Sequence, residues 1–211
     1  MEDNTLFEVY VDQLKDMWSA NDQMRDMIAQ MAETAGDARL GSLLHGVVTR
    51  LEDHNRTIRE LLMRHSEEEE PDRSRAMQGL VAQAREDGLD KPLTEAARDV
   101  VIVAQVQRMA HYGIAGYGTA RALAEALKLK EDARVLSADL DDVYATDELL
   151  THLAESVINP ASADEDAEED DDDDGDEASD LSNGIGEERN GFEDDFDEDD
   201  EDEDEDGGRI R

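Results

Sequence analysis

Apolar side chains recur every three or four positions along most of the first 160 residues, which is the spacing of one face of an α-helix. No segment alternates apolar and polar residues as a β-strand would, so the pattern predicts an all-α protein. Three stripes show this spacing, and two of them contain one polar residue near the middle. The stripes are Phe7, Tyr10, Leu14, Met17, Asn21, Met24, Ile28 and Met31; Leu40, Leu44, Val47, Leu51, His54, Ile58 and Leu61; and Val103, Val106, Ala110, Gly113, Tyr117, Ala120, Ala124 and Leu127.

A fourth helix is predicted at about 132–157, but its inward face is ambiguous. One stripe consists of Val135, Ala138, Asp142, Ala145, Leu149 and His152, and the other of Leu136, Leu140, Val143, Leu150 and Val157. Two stripes on one helix indicate burial on two sides, as in a homodimer.

The breaks between these helices predict how they are connected. Residues 35–37 separate the first two helices and residues 128–130 the last two, so each pair should form an antiparallel hairpin. A crossover at about 64–94 connects the second helix to the third and includes a short amphipathic segment at 76–81. Asn159-Pro160 is expected to end the fourth helix. Four helices of about 40 Å, with a long crossover carrying a short helix between the second and third, form a ferritin-like four-helix bundle.

The chain carries a formal net charge of −39 over 211 residues. Residues 161–211 contain 28 acidic and 3 basic side chains, too many like charges for a packed core, so they are predicted to form a disordered acidic tail. Residues 1–160, the predicted bundle domain, are also acidic, with 31 acidic against 17 basic side chains. The chain has 4 lysines among its 20 basic residues. Few lysines beside a carboxylate excess resemble the proteins of extreme halophiles and predict a high-salt cytoplasm; the alternative is an ordinary protein with an acidic interaction tail.

The composition also argues against several classes of function. Nucleic acids and anionic membranes are bound through clustered lysine and arginine, so neither is an expected partner. No apolar stretch approaches a membrane span and the acidic start does not resemble a signal peptide, so a cytoplasmic location is expected. The chain has no cysteine and no Gly-x-Ser-x-Gly or His-Glu-x-x-His motif. Gly113, Gly116 and Gly118 lie within a helical pattern, where glycine is expected to allow close helix approach rather than to bind phosphate.

Four segments resemble the YciE/YciF-type ferritin-like proteins, in the same order and with similar spacing. They are Leu6-Phe7 with residues 12–20 in the first helix, 76–80 in the crossover, 111–119 in the third helix and 145–150 in the fourth. Together they cover about residues 5–157. The resemblance implies a dimeric ferritin-like bundle with an association with stress and a ferroxidase or di-iron activity.

The positions that would hold a di-metal site depart from that family's pattern. Asn21 stands where the family's first helix has a glutamate, and Ala110 and Gly113 stand where its third helix has glutamates. Acids remain on the second and fourth helices, and the candidate metal ligands are Glu52, His54, Asp141 and Asp142. A carboxylate-bridged pair of metal ions needs about four inward carboxylates and two histidines. The departures therefore predict a largely lost site without a cofactor, or with iron or manganese if the site survives.

Asn21 and His54 have a second interpretation, as buried polar groups that fix helix register through hydrogen bonds. The leading hypothesis is a stress-associated, non-catalytic ferritin-like protein that acts as a structural or interaction module in a high-salt cytoplasm. One alternative is a di-iron ferroxidase that uses Glu52, His54 and Asp142. Another is an adaptor that recruits a basic protein partner through the acidic tail.

Overall fold

The computed structural model describes residues 5–67 and 73–173, and within these ranges every regular element is helical. Six α-helices follow one another: α1 (Leu6–Thr34), α2 (Ala38–Arg64), α3 (Arg75–Arg85), α4 (Glu95–Ala126), α5 (Lys130–Leu153) and α6 (Asn159–Asp173). Two short π-helical segments, Glu86–Asp90 and Ala154–Ile158, follow α3 and α5. The long helices α1, α2, α4 and α5 are the four that the apolar spacing predicts.

Two carboxylates stabilise the turn between α1 and α2 by accepting hydrogen bonds from backbone N–H groups. Asp37 caps α2 by accepting two backbone N–H groups of its first turn. The buried Asp99 of α4 accepts the backbone N–H groups of Gly36 and Asp37 at 2.9 and 2.7 Å. A Cβ on Gly36 would lie 2.7 Å from Glu95 Cγ, so glycine lets this turn approach the start of α4 closely.

Two helical hairpins and a crossover make up the bundle. α1 packs along α2 and α4 along α5, and the hairpins meet through α1 with α4 and through α2 with α5. The crossover carries α3, which packs against α1 and α4. Ser74, just before α3, is fully buried; its backbone bonds to Ser19 and Gln23 of α1 and its hydroxyl to Tyr112 of α4. The predicted ferritin-like topology, with its short crossover helix, is confirmed.

The inward face of α5 is the stripe that contains Leu136, Leu140 and Leu150, all of which are buried. Leu149, from the other stripe, is 47% exposed, and the neighbouring Tyr144 is 52% exposed. Packing against α4 therefore selects between two stripes that the sequence left equivalent.

The predicted helix stop at Asn159 and Pro160 is wrong. The helix continues from α5 through the π-helical segment Ala154–Ile158 into α6, where Pro160 is the second residue. A proline inside a helix removes one backbone hydrogen bond, and here the hydrogen-bond pattern changes to π-helical in the segment directly before Pro160.

The helix beyond Pro160 contacts the bundle. Thr94, which caps α4, donates a hydrogen bond to Glu165 of α6 at 2.7 Å. Residues 161–173, which the sequence assigned to the tail, are helical. The remainder of the predicted disordered tail, 174–211, lies outside the described residues.

The core consists of two apolar clusters that occupy the two halves of the bundle. One half contains residues 10–17 of α1 with 58–62 of α2, and the other contains 20–32 of α1 with 40–51 of α2. A Cβ on Gly116 of α4 would lie 1.9 Å from Met17 Sδ, so this glycine allows the close approach of α1 and α4. None of the described helices is both long and apolar enough to span a membrane.

Candidate functional site

Polar side chains from all four long helices meet between the two apolar clusters. They are Asn21 of α1, His54 and Asn55 of α2, Tyr117 of α4, and Asp139 and Asp142 of α5. The first four are buried and the two aspartates are partly buried. The helical period explains this meeting, because Leu51, His54, Asn55 and Ile58 all fall on the inward face of α2.

Asn21 ties three helices together. Its Nδ2 donates hydrogen bonds to Asn55 Oδ1 at 2.9 Å and to the Tyr117 hydroxyl at 2.7 Å. Asn55 in turn donates from Nδ2 to Asp22 Oδ1 at 3.0 Å. Asn21 is fully buried, and its Oδ1 has no partner among the described residues. Side-chain amides and a hydroxyl, all neutral groups, therefore connect α1, α2 and α4 at the middle of the bundle.

His54 connects α2 to α5. Its Nε2 lies 3.2 Å from Asp142 Oδ2 and 4.0 Å from Asp139 Oδ1. Asp142 is also bound from the outside, because Arg50 Nε lies 3.3 Å from its Oδ1. The imidazole packs edge-on against the Tyr117 ring, with the ring centroids 5.4 Å apart. We call these six polar residues the middle layer. On its α2–α5 side, a histidine and an arginine thus share one carboxylate.

Burial shifts the protonation of these groups. It lowers the pKa of His54, although the carboxylate of Asp142 opposes the shift. Burial, together with the charges of Asp142 and Asp53, raises the pKa of Asp139 from 3.8 to about 7. Burial also raises the pKa of the Tyr117 hydroxyl, which stays protonated. Low solvation thus favours the neutral forms of His54, Asp139 and Tyr117.

A small cavity of about 30 Å³ lies beside this layer, and residues of all four long helices line it. Most of these residues are apolar, and four are polar. The polar contributions are Arg50, His54, Asp142 and Thr146. A space of this size suits one or two water molecules and is far smaller than a substrate pocket.

The structure brings two of the four candidate metal ligands together and separates the other two. His54 and Asp142 are the adjacent pair. Glu52 is exposed, and its charge acts on Arg25 of α1. Asp141 is exposed and lines a different groove, near the start of α5. Over the described ranges, no group of three or more histidine, aspartate or glutamate side chains is arranged to hold a metal ion.

These donors do not fit a carboxylate-bridged pair of metal ions. Such a pair takes ligands from all four helices. Here α1 contributes the Asn21 amide, whose nitrogen already donates two hydrogen bonds, and α4 contributes the Tyr117 hydroxyl. Among the six side chains of this layer, the carboxylates are those of Asp139 and Asp142, both on α5.

Sequence reasoning missed two members of the layer. It placed Asn21 and His54 at the centre, and both are buried there, but it did not find Asn55 or Asp139. The spacing contains a signal for each: Asn55 lies four residues after Leu51, and Asp139 lies three residues after Leu136. In so acidic a chain, an aspartate beside an apolar stripe resembles an ordinary solvated residue.

Two helical hairpins, a long crossover with its own helix and a layer of polar residues at the centre define a ferritin-like four-helix bundle. The chain belongs to the family described as "Domain of unknown function (DUF892)", whose model matches residues 5–163.

Relatives agree with this assignment. Protein YciF of Escherichia coli strain K12 is 29% identical over 166 residues, which cover 75% of this chain and 96% of YciF. The crystal structure of the E. coli stress protein YciF superposes with a TM-score of 0.70 at 29% identity, covering 75% of this chain and 99% of that one. YcfI from Rhodopseudomonas palustris has a TM-score of 0.68 at 24% identity, covers 71% of this chain and 95% of its own, and shares the fold. The resemblance to the YciE/YciF-type proteins is confirmed.

Proposed function

We propose that this protein is a non-catalytic, stress-associated member of its family that acts as a structural or interaction module. The observation that carries the proposal is the fully buried Asn21, whose Nδ2 donates hydrogen bonds to Asn55 and Tyr117. The resemblance implies a glutamate at this position. An amide offers a neutral oxygen where hard cations prefer a charged one.

The side of the layer formed by α4 supports the same proposal. Ala110 and Gly113, at the positions where the resemblance implies glutamates, line the small cavity and supply no side-chain donor atom. Tyr117 remains a neutral hydroxyl because burial raises its pKa. A divalent pair in this layer would have charged ligands on one side only.

In this proposal the polar layer holds the helices in register. Asn21, Asn55 and Tyr117 each meet a partner on another helix, and sliding one helix by a turn would leave them buried without hydrogen bonds. An unpaired buried polar group costs about 1–3 kcal/mol, so the layer opposes alternative packings of the apolar stripes.

Metal analysis tests this proposal. The protein is purified without chelator, and iron and manganese per chain are measured by mass spectrometry alongside the rate of Fe(II) oxidation. We expect substoichiometric metal and an oxidation rate equal to that of buffer. The matched control is the double variant His54→Ala, Asp142→Asn. Stoichiometric metal with turnover in the parent, lost in this variant, would refute the proposal.

One observation favours the ferroxidase alternative. His54 and Asp142 are 3.2 Å apart, and Asp139 lies beside them, so one imidazole and two carboxylates are close together on the α2–α5 side. The alternative also needs Glu52, whose exposed side chain lies near Arg25. A ferroxidase would therefore require Glu52 to turn inward when metal binds, and Glu52→Gln would then abolish the activity.

The outer face of α5 is our proposed homodimer interface. Leu149, a member of the outer stripe, is 47% exposed on this face among the described residues. Light scattering on the parent and on a Leu149→Ser variant tests the interface. The parent is expected at twice the mass of the variant, and an unchanged mass would reject this face.

The negative charge of the chain supports two further proposals, one about the salt concentration around the protein and one about a partner. We place the protein in a high-salt cytoplasm, because residues 1–160 carry 31 acidic side chains against 17 basic ones and must be screened to pack. We also propose that the acidic tail can recruit a basic partner. A pull-down at native salt would compare the full chain with a variant whose acids at 193–206 are amides, and identical partners would reject the recruitment.

A further inference from the structure

An open groove of about 420 Å³ lies between α6 and the end of the bundle where the α1–α2 turn meets the start of α4. The acidic residues that line it are Asp37, Glu95 and Asp99 on the bundle side and Asp164 and Glu165 on α6. No lysine, arginine or histidine is among the lining residues. Within the described ranges, these five carboxylates have one basic partner, Arg39, which lies 2.6 Å from Asp37. Carboxylates of α6 therefore share the groove with carboxylates of the bundle.

A hydrogen bond attaches α6 to the start of α4 despite this repulsion. Thr94 caps α4 by accepting the backbone N–H of Ala97 at 3.3 Å, and its hydroxyl donates to Glu165 Oε2 at 2.7 Å. The Glu165 carboxylate thus lies at the N-terminus of α4, where the helix dipole favours a negative charge. Salt screens this direct, partly buried contact less than it screens the repulsion between exposed carboxylates.

The α6 helix has little else to stabilise it. Nine of its 15 residues are aspartate or glutamate and none is basic, so like charges recur at the i,i+4 spacing that destabilises a helix. None of the α6 side chains that the structure describes is buried. The helix also follows the π-helical segment Ala154–Ile158 and begins at Pro160, where the hydrogen-bond pattern changes. A segment with few buried apolar contacts opens more easily than the core it adjoins.

We propose that α6 is a salt-dependent strap, which docks on the start of α4 in concentrated salt and detaches and unfolds in dilute salt while the four long helices stay folded. At about 0.1 M salt the screening length is about 10 Å, so the carboxylates around the groove repel one another. At about 1 M it falls to about 3 Å, and the bond between Thr94 and Glu165 then dominates. The strap depends neither on whether the middle layer binds metal nor on the salt concentration of the cell.

A spin label on α6 measures docking. The chain has no cysteine, so Ala163→Cys, at an exposed α6 position, gives one labelling site. The electron spin resonance spectrum separates a slow, docked component from a fast, detached one. The single tryptophan, Trp18 of α1, reports through its fluorescence whether the bundle is folded. KCl is raised to about 3 M from the lowest concentration at which Trp18 fluorescence is that of the folded chain.

We expect the slow component to rise about two-fold or more over this range while Trp18 fluorescence stays constant. The KCl concentration at half of this rise is the docking midpoint. A slow component that does not change with KCl, or that changes only together with Trp18 fluorescence, would overturn the proposal.

Two double variants of equal charge decide whether the groove is the cause. Glu95→Gln with Asp164→Asn removes one carboxylate from each side and leaves Asp37 and Asp99, which stabilise the turn, unchanged. The control, Asp12→Asn with Glu60→Gln, removes two exposed carboxylates toward the other ends of α1 and α2. We expect the groove variant to lower the docking midpoint about two-fold and the control to keep that of the parent. Equal midpoints for the two variants would reject the groove as the cause.

Glu165→Ala separates the strap from a general effect of charge. This variant also removes a negative charge, but it takes away the acceptor of the Thr94 hydroxyl. We therefore expect its docking midpoint to rise, opposite to the groove variant. A midpoint that falls or stays the same would show that the contact between Thr94 and Glu165 does not hold α6, and would overturn the proposal.

Discussion

Replacing Asp139 with asparagine tests how burial controls charge at the middle of the bundle. The Asp139 side chain is 13% exposed, and its Oδ2 has no hydrogen-bond partner among the described residues. Burial is the main reason that its pKa rises from 3.8 to about 7, and the nearby carboxylates of Asp142 and Asp53 add to the effect. The folded chain therefore keeps a proton that the unfolded chain releases at lower pH.

The sign and size of the effect follow from this difference. Because the pKa is higher in the folded state, the stability contributed by protonated Asp139 is present below about pH 4 and is lost as the pH rises to about 7. A shift of about three pKa units corresponds to at most about 4 kcal/mol. The Asp139→Asn variant has no charge to bury, so it should gain stability relative to the parent across this interval.

Urea unfolding at constant KCl, repeated from pH 4 to 8, measures the prediction. The quantity of interest is the free energy of unfolding of the variant minus that of the parent, because the other carboxylates of the chain cancel in this difference. It should rise between about pH 4 and 7 and then become constant. The matched control is Asp141→Asn, which removes an exposed carboxylate two residues away and should give a flat difference. A flat difference for Asp139→Asn as well would refute the reasoning.

Three further predictions concern packing, hydrogen bonding and salt. Gly116→Ala should destabilise the fold by about 1–3 kcal/mol in urea unfolding, because its Cβ would collide with Met17. The control Gly118→Ala has no neighbour within 4 Å of its Cβ and should be neutral or stabilising. Equal effects of the two variants would contradict the close contact. Asn21→Leu should cost about 1–3 kcal/mol, since the buried Asn55 Oδ1 loses its donor, and a variant as stable as the parent would show that the layer does not hold the register. The melting temperature should rise from dilute to multimolar KCl as the net charge of −39 is screened, and indifference to salt would reject the high-salt setting.

Much of the fold could be predicted because helix periodicity is a local property. The break at 35–37 and the turn at 128–130 lie within a residue or two of the observed helix ends. The crossover and its short helix were also found, because the segment between the second and third long helices is too long for a hairpin. The stop predicted at Pro160 is wrong because a helix can continue past a proline when its hydrogen-bond pattern changes beside it, and the contact between Thr94 and Glu165 lies outside the local sequence.

The candidate site was predicted less completely, because its members are defined by partners on other helices. Asn21 and His54 were placed correctly in the middle, but their hydrogen-bond partners were not known from spacing. Asp139 differs from Asp141 only in the direction that its side chain takes from α5. One is largely buried with a raised pKa and the other is exposed, and that difference arises from the packing of α5 on its neighbours.

Read alone, the amino-acid sequence predicts that this chain is helical, where its long helices begin and turn, that it resembles one family, and that it carries a large negative charge. These properties depend on residue spacing and composition, which the linear sequence contains. The packing of the helices selects which stripe of α5 faces inward, brings Asn21 to Asn55 and Tyr117, and leaves Glu52 exposed. The solvation and the hydrogen bonds of a side chain depend on which side chains of other helices lie within a few ångströms of it. Those neighbours are determined by how the helices pack.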